Sequence, residues 1–169
     1  PGAAGGTLTQ RIAHGIMQVL TTEQVSVAFD FHEAGPESRL AWMVVANPKN
    51  LETAASALFD LEAMGLTMKL ERSSETFRGL SHREWGDATQ AEAYLFETPS
   101  PSMVNDTAGV DFVNDPKLPL AKRVGGQLAT FAAVLAAHNS GAPPALRTAI
   151  DGVPSMAEVE RAGVGAFLR

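Results

Sequence analysis

The chain has 169 residues, of which 45% are hydrophobic, and this composition indicates a single globular domain over 1–169 with a sizeable core. The net charge of −6 and the absence of a Lys/Arg cluster argue against nucleic acid and anionic membranes as partners. The lack of cysteine excludes disulfides and thiolate metal sites. No apolar run approaches the roughly 20 residues of a membrane span, and no signal peptide is visible, so the sequence favours a cytoplasmic protein.

Hydrophobic periodicity predicts helices that alternate with strands. Apolar residues spaced by three and four, with cap residues such as Thr7 and Ser155, predict helices at 7–20, 51–64, 120–138, 145–151 and 156–168. Short apolar runs predict strands at 25–31, 40–46, 66–70 and 93–97. Residues 71–92 and 98–119 show no clear period and are predicted to be long loops.

Alternating strands and helices favour an α/β fold, and we predict a three-layer α/β/α sandwich with a mixed, mostly parallel sheet. The strand at 25–31 is nearly continuous in apolar residues. Continuous runs of this kind are typical of strands covered on both faces, so this strand is predicted to lie in the centre of the sheet.

Polar side chains follow this strand where it ends. Asp30, His32 and Glu33 interrupt the apolar run just before Gly35 and Pro36. Sites in open α/β sheets form at the ends of strands. A histidine there can bind a metal through one ring nitrogen while a carboxylate orients the other. The alternative is an ordinary hydrogen-bonded loop histidine, and the sequence leaves both open.

Glu97 has the same setting at the end of the strand 93–97. A carboxylate at the edge of the interior has a raised pKa if it is partly desolvated. A general base or acid needs such tuning. The alternative is a loop carboxylate that caps backbone N–H groups near Thr98.

The segment Ser81–Asp87, with the sequence SHREWGD, concentrates polar side chains within a predicted loop. It is interpreted either as a substrate-binding loop or as a solvated polar turn. Trp85, Arg78 and Arg83 are the candidates for contacting an apolar or anionic group of a substrate, because arginine binds carboxylates bidentately.

Three stretches, in order, resemble the zinc-carboxypeptidase superfamily in its succinylglutamate desuccinylase/aspartoacylase-like branch. PGAAGGTLTQRIAHGIMQVL resembles the loop and helix that follow the family's Asn-Arg pair. VSVAFDFHEA resembles the strand whose Asp-x-His supplies the third zinc ligand. AYLFETPSP resembles the strand that carries the catalytic glutamate, and the resemblance runs over about residues 1–138.

The resemblance implies that His32 ligates zinc, that Glu97 is the catalytic general base and that Asp30 supports the site. It implies a zinc-dependent amide hydrolase acting on a small peptide or N-acyl amino acid. The family's His-x-x-Glu motif, which supplies the first two zinc ligands, does not occur in this sequence. We therefore expect the C-terminal part of such an enzyme, which by itself neither holds zinc tightly nor turns over substrate.

The same resemblance implies a sheet that is incomplete at its N-terminal side. An open sheet edge favours self-association or pairing with a missing N-terminal segment. Two other classes of function stay open. One is a non-catalytic binding or scaffold domain that keeps the fold without a metal site. The other is a metal-free hydrolase that uses His82, Glu84 or Glu97 in another arrangement.

Overall fold

The structure is a computed structural model that describes residues 2–76, 78–102, 109–141 and 143–168. Its helices are α1 (Leu8–Thr22), α2 (Leu51–Ala63), α3 (Ser81–Ala88), α4 (Leu120–His138), α5 (Pro144–Asp151) and α6 (Met156–Ala162). Its strands are β1 (Val27–Ala34), β2 (Met43–Ala46), β3 (Lys69–Arg72) and β4 (Glu92–Pro99). Short 3₁₀ turns occur at Pro48–Asn50 and Val164–Phe167.

The four strands form one open sheet in the order β1-β4-β2-β3. The pairs β1–β4 and β2–β3 are parallel, and β2–β4 is antiparallel. The predicted α/β class and the mixed, mostly parallel sheet are therefore confirmed.

Helices contact both faces of this sheet. Successive side chains of a strand point to opposite faces. In β1, the ring of Phe29 packs against Phe131 of α4, whereas the carboxylate of Asp30 accepts a hydrogen bond from Ser81 of α3. The main core lies on the α4 face and includes Val44, Ala54, Ala57, Leu61, Tyr94, Phe96, Ala133 and Val134. A complete three-layer sandwich is not confirmed, because α1 packs only through its C-terminal end.

The helix α1 leaves its apolar stripe in solvent. The predicted helix is confirmed, and Thr7 and Gln10 form a capping box at its start. Only Leu20, with Met17 beside it, packs against β1 and the residues around Trp85. The stripe itself is between 38% and 66% exposed at Leu8, Ile12, Ile16 and Val19. Helical periodicity identified the apolar face, but it does not say what covers that face.

The prediction that the first strand is central was wrong. β1 lies at the edge of the sheet, and β4 lies between β1 and β2. Phe31 of β1 is 46% exposed, whereas Tyr94 and Phe96 of β4 are fully buried. An apolar run indicates that both faces of a strand are covered by other elements. It does not indicate whether another strand pairs with each of its two edges.

The predicted loop 71–92 was wrong in part. It contains α3, and β3 extends into it as far as Arg72. Helix α3 is short and rich in polar residues, so it shows no apolar period, yet His82, Arg83 and Gly86 are buried. The last helix ends at Ala162 because Gly163 takes a positive φ of 76°. The described parts of the second predicted loop are irregular between β4 and α4, and its residues 103–108 lie outside the described residues.

Candidate functional site

The structure brings Asp30, His32 and Glu97 together at the carboxyl ends of two parallel strands. His32 of β1 and Glu97 of β4 are register partners, so their side chains lie side by side on the same face of the sheet. Asp30 precedes His32 by two residues and therefore faces the same side. This is the face that carries α3, whose first residue Ser81 reaches Asp30.

Asp30 connects His32 to helix α3. The Nε2 atom of His32 lies 3.1 Å from Oδ1 of Asp30, and the hydroxyl of Ser81 donates a hydrogen bond to Oδ2 of Asp30. The side chain of His32 is half exposed. A carboxylate that contacts one ring nitrogen fixes the orientation of an imidazole. The supporting role of Asp30 in a metal site stays a prediction.

Glu97 is a buried carboxylate with an unsatisfied oxygen. The residue is only 8% exposed, and its Oε2 atom has no hydrogen-bond partner among the described residues. Burial raises the pKa of Glu97; the nearby imidazole of His32 opposes this rise and the carboxylate of Asp30 adds to it. Glu97 lies within β4, and not in the loop that the structural alternative assumed. The site therefore holds a buried carboxyl group with a raised pKa, the direction of shift that a general acid or base requires.

His82 is a second histidine on the α3 side. It is 2% exposed, and its Nδ1 atom lies 2.9 Å from the hydroxyl of Ser73. Burial lowers the pKa of His82; the Arg83 and His32 charges lower it further, whereas Asp30 raises it. Near neutral pH this ring is therefore held in its uncharged form.

We expect the stability of the protein to fall as the pH drops below the ordinary histidine value of 6.5, in part because of His82. A lowered folded-state pKa means that the unfolded chain binds a proton in this window and the folded chain does not. The contribution is complete above pH 6.5 and is lost as pH falls toward the folded pKa. Urea unfolding at pH 5 and pH 7 should show a smaller loss in His82→Gln than in wild type. Equal losses in both proteins would contradict this assignment.

The predicted substrate-binding residues lie around α3 and are engaged within the fold. The Nε atom of Arg83 donates to Asp87 at 2.7 Å, and its Nη1 atom donates to the backbone oxygen of Ser73 at 3.2 Å. Trp85 packs in the small core cluster under α1. Arg78 is more accessible, with its side chain 62% exposed and 3.3 Å from Asp87. Substrate contact by these three residues stays a prediction, and Arg78 is the one whose side chain reaches solvent most freely.

Sequence reasoning missed the residue that holds α3 in place. The Nδ2 atom of Asn47, just after β2, donates to Oδ1 of Asp87 at 3.0 Å, with longer contacts to the backbone oxygens of His82 and Arg83. Asn47 is the first residue after the predicted strand 40–46. The feature that could have identified Asn47 is a polar residue at the end of an apolar strand, which is the feature that identified His32.

Gln127 of α4 was also missed, and it holds the two strand ends together. Its Nε2 atom donates to the backbone oxygen of His32 at 2.9 Å and to the hydroxyl of Thr98 at 3.1 Å. Because Thr98 follows Glu97 directly, this one amide links both strands beside the candidate site. No local pattern in a helix predicts a contact with residues so far away in the sequence.

We expect Gly86→Ala to destabilise the protein by about 1–2 kcal/mol, even though alanine is the better helix former. A Cβ atom at Gly86 would lie 2.6 Å from Cγ of Asn47, which is buried and would have to abandon its bonds to α3. The matched control is Gly15→Ala in α1, where a Cβ atom would have no other atom within 4 Å. This substitution should stabilise the helix. Chemical denaturation measures both, and an unchanged or raised stability of Gly86→Ala would refute the packing argument.

The described residues do not form a zinc site by themselves. Among them, no group of three or more His, Asp or Glu side chains is placed to hold a metal ion. A catalytic zinc site needs three protein ligands. His32 can supply one nitrogen, so a complete site requires ligands from outside the described residues.

The fold and the site define an α/β protein with an open mixed sheet and a cluster of ionisable side chains, Asp30, His32 and Glu97, near the ends of β1 and β4. Comparisons with protein families, curated proteins and solved structures found no match to this chain. Within the described residues, none of the helices combines the length and apolar character that crossing a membrane requires.

Proposed function

We propose that this chain is part of a zinc-dependent amide hydrolase and carries its general base, Glu97. One observation carries the proposal: a buried carboxyl group with an unsatisfied Oε2 atom lies beside His32 at the ends of two parallel strands. A buried polar atom without a partner is costly in a structural role. A reacting water or substrate amide would supply the missing partner.

Glu97 would act twice in the reaction. Its raised pKa suits it to accept a proton from the attacking water and then to donate that proton to the leaving amine. Asp30 and Ser81 hold His32 in a fixed orientation, and Gln127 fixes the backbone beneath it. Zinc, when bound, supplies a water of lowered pKa and a polarised carbonyl, and His32 is the ligand that this chain offers.

The proposed substrate is a small peptide or an N-acyl amino acid. The test is hydrolysis of a panel of both compound types, with zinc added, by the longest natural form of the protein. Zinc content measured on the same sample should fall in His32→Ala. Absence of hydrolysis together with unchanged zinc content in His32→Ala would reject the proposal.

The second candidate is a non-catalytic binding domain of the same fold. It is favoured by the absence of a three-ligand group in the described part of the chain and by the exposed apolar stripe of α1. Calorimetric titration with zinc distinguishes the two functions. The binding domain would bind no zinc in its longest natural form, and Glu97→Gln would leave its binding activity unchanged.

A further inference from the structure

One edge of β1 has no neighbouring strand among the described residues. The N–H of Glu92 donates to the oxygen of Ser26, and that of Ser100 donates to the oxygen of Ala34. In a parallel ladder the residues that bond one neighbour alternate along the strand, so the even-numbered residues of this stretch face β4. The N–H and C=O groups that point to the open edge belong to Val27, Phe29, Phe31 and Glu33. Within the described ranges, no strand pairs with this edge.

Among the residues that the structure describes, this edge has little of the usual protection. Soluble proteins shield free strands with charged side chains, especially lysine, or with proline, bulges or a covering segment. The sequence of β1, VAFDFHEA, contains no lysine and no proline, and its carboxylates at Asp30 and Glu33 are engaged by Ser81 and Arg123 of the same chain. Phe31 in its middle is 46% exposed, and the neighbouring helix α1 exposes its apolar stripe. An unprotected edge with exposed apolar side chains beside it is a surface on which another strand pairs.

We propose that two copies of this chain pair through antiparallel β1 strands, with Phe31 opposite Phe31 of the partner subunit. The paired segment runs from Ala28 to Ala34 of each copy and joins the two sheets into one. Such a contact is self-complementary and closes with twofold symmetry, so it ends at a dimer. The proposal goes beyond the proposed function and requires neither zinc nor catalysis.

The side chains that face each other across the interface favour this register over the two neighbouring ones. Because the outward groups belong to odd-numbered residues, hydrogen-bonded pairing matches odd residues with odd residues. Shifting by two residues in one direction places Asp30 opposite the partner's Asp30, and in the other direction His32 opposite the partner's His32. Centring on Phe31 places Asp30 opposite the partner's His32. Two Asp30 carboxylates directly opposite each other destabilise a sheet, and the register that pairs His32 with the partner's His32 sets Phe31 opposite the partner's Glu33 and loses the aromatic pair.

The dimer places two candidate sites next to each other. Directly opposite residues of an antiparallel pair have their Cβ atoms about 4.5–5.5 Å apart. The partner's His32 would therefore border the Asp30 carboxylate that already contacts His32 and Ser81 in its own chain. One side of each candidate site would therefore be lined by β1 of the partner subunit.

The absence of cysteine makes the register directly testable. Light scattering should give the wild-type chain twice its single-chain mass of 17.8 kDa. Phe31→Cys introduces a lone thiol that should cross-link to the partner's copy several-fold faster than the thiol of Phe59→Cys under the same oxidant. Phe59 is the matched control because it is 73% exposed on α2, away from β1.

Lysine on an edge strand blocks pairing, so Phe31→Lys should be monomeric and Phe59→Lys dimeric. Circular dichroism establishes that both variants are folded, and the cross-linking result is independent of the lysine variants. A wild-type chain that is monomeric at every concentration overturns the proposal. So does a dimer that persists in Phe31→Lys but dissociates in Ile12→Lys, because that dimer would use α1.

Discussion

In the longest natural form of the protein, Glu97→Gln should hydrolyse amides about 10²–10⁴-fold more slowly than wild type, the usual contribution of one general acid–base group. Glutamine has the same shape but cannot accept a proton from the attacking water. The zinc content should stay unchanged, since His32 is the proposed ligand and Glu97 is not. Steady-state kinetics with the best substrate of the panel, and metal analysis of the same sample, measure both quantities. Glu62→Gln, an exposed carboxylate on α2, is the control and should keep full activity.

The same substitution should make the folded protein more stable at neutral pH, by on the order of 1 kcal/mol. Burial raises the folded-state pKa of Glu97 above its unfolded value of 4.5. The favourable contribution of the protonated form is complete below pH 4.5 and is lost as pH rises through the folded pKa. Glutamine does not ionise, so the Glu97→Gln variant does not lose this stability as the pH rises to 7. A variant with near-normal kcat, or one that is less stable at pH 7, would show that Glu97 is a structural carboxylate.

Phe96→Ala should cost about 3–5 kcal/mol of unfolding free energy, the largest stability effect we expect from a single core residue. Phe96 is fully buried in the central strand β4, where its ring packs against Phe29, Phe31 and Tyr94. Truncation there leaves a cavity that the surrounding strands and helices cannot close. Urea denaturation monitored by circular dichroism measures the change.

Two other phenylalanines provide the comparison for Phe96. Phe31→Ala on the edge strand should cost about 1–2 kcal/mol, because half of the ring is already in solvent. Phe59→Ala should change stability by less than about 0.5 kcal/mol, as expected for an exposed position. The measurements are made at concentrations where the chain is monomeric. Equal costs for Phe31→Ala and Phe96→Ala would support the sequence-based prediction that β1 is central, and would contradict the strand order found here.

Local signals in the sequence were sufficient to predict most elements. The cap residues Thr7 and Ser155 each form the capping box that starts a helix, and their partners lie within the same turn. The periodicity of α2 and α4 and the apolar run of β4 identified those elements close to their observed bounds. His32 and Glu97 were found because polar residues ended apolar runs. Each of these inferences rests on contacts between residues near one another in the chain.

The tertiary structure alone decided how these elements meet. It placed β1 at the edge and β4 inside, and so made His32 and Glu97 register partners. It also folded the polar segment around Arg83 into a helix that Asn47 holds against the sheet. Periodicity in a sequence reports which faces of an element are apolar, because side chains repeat along the chain. Strand order, register and helix docking depend on contacts between distant residues, and no local pattern encodes which distant partner supplies them.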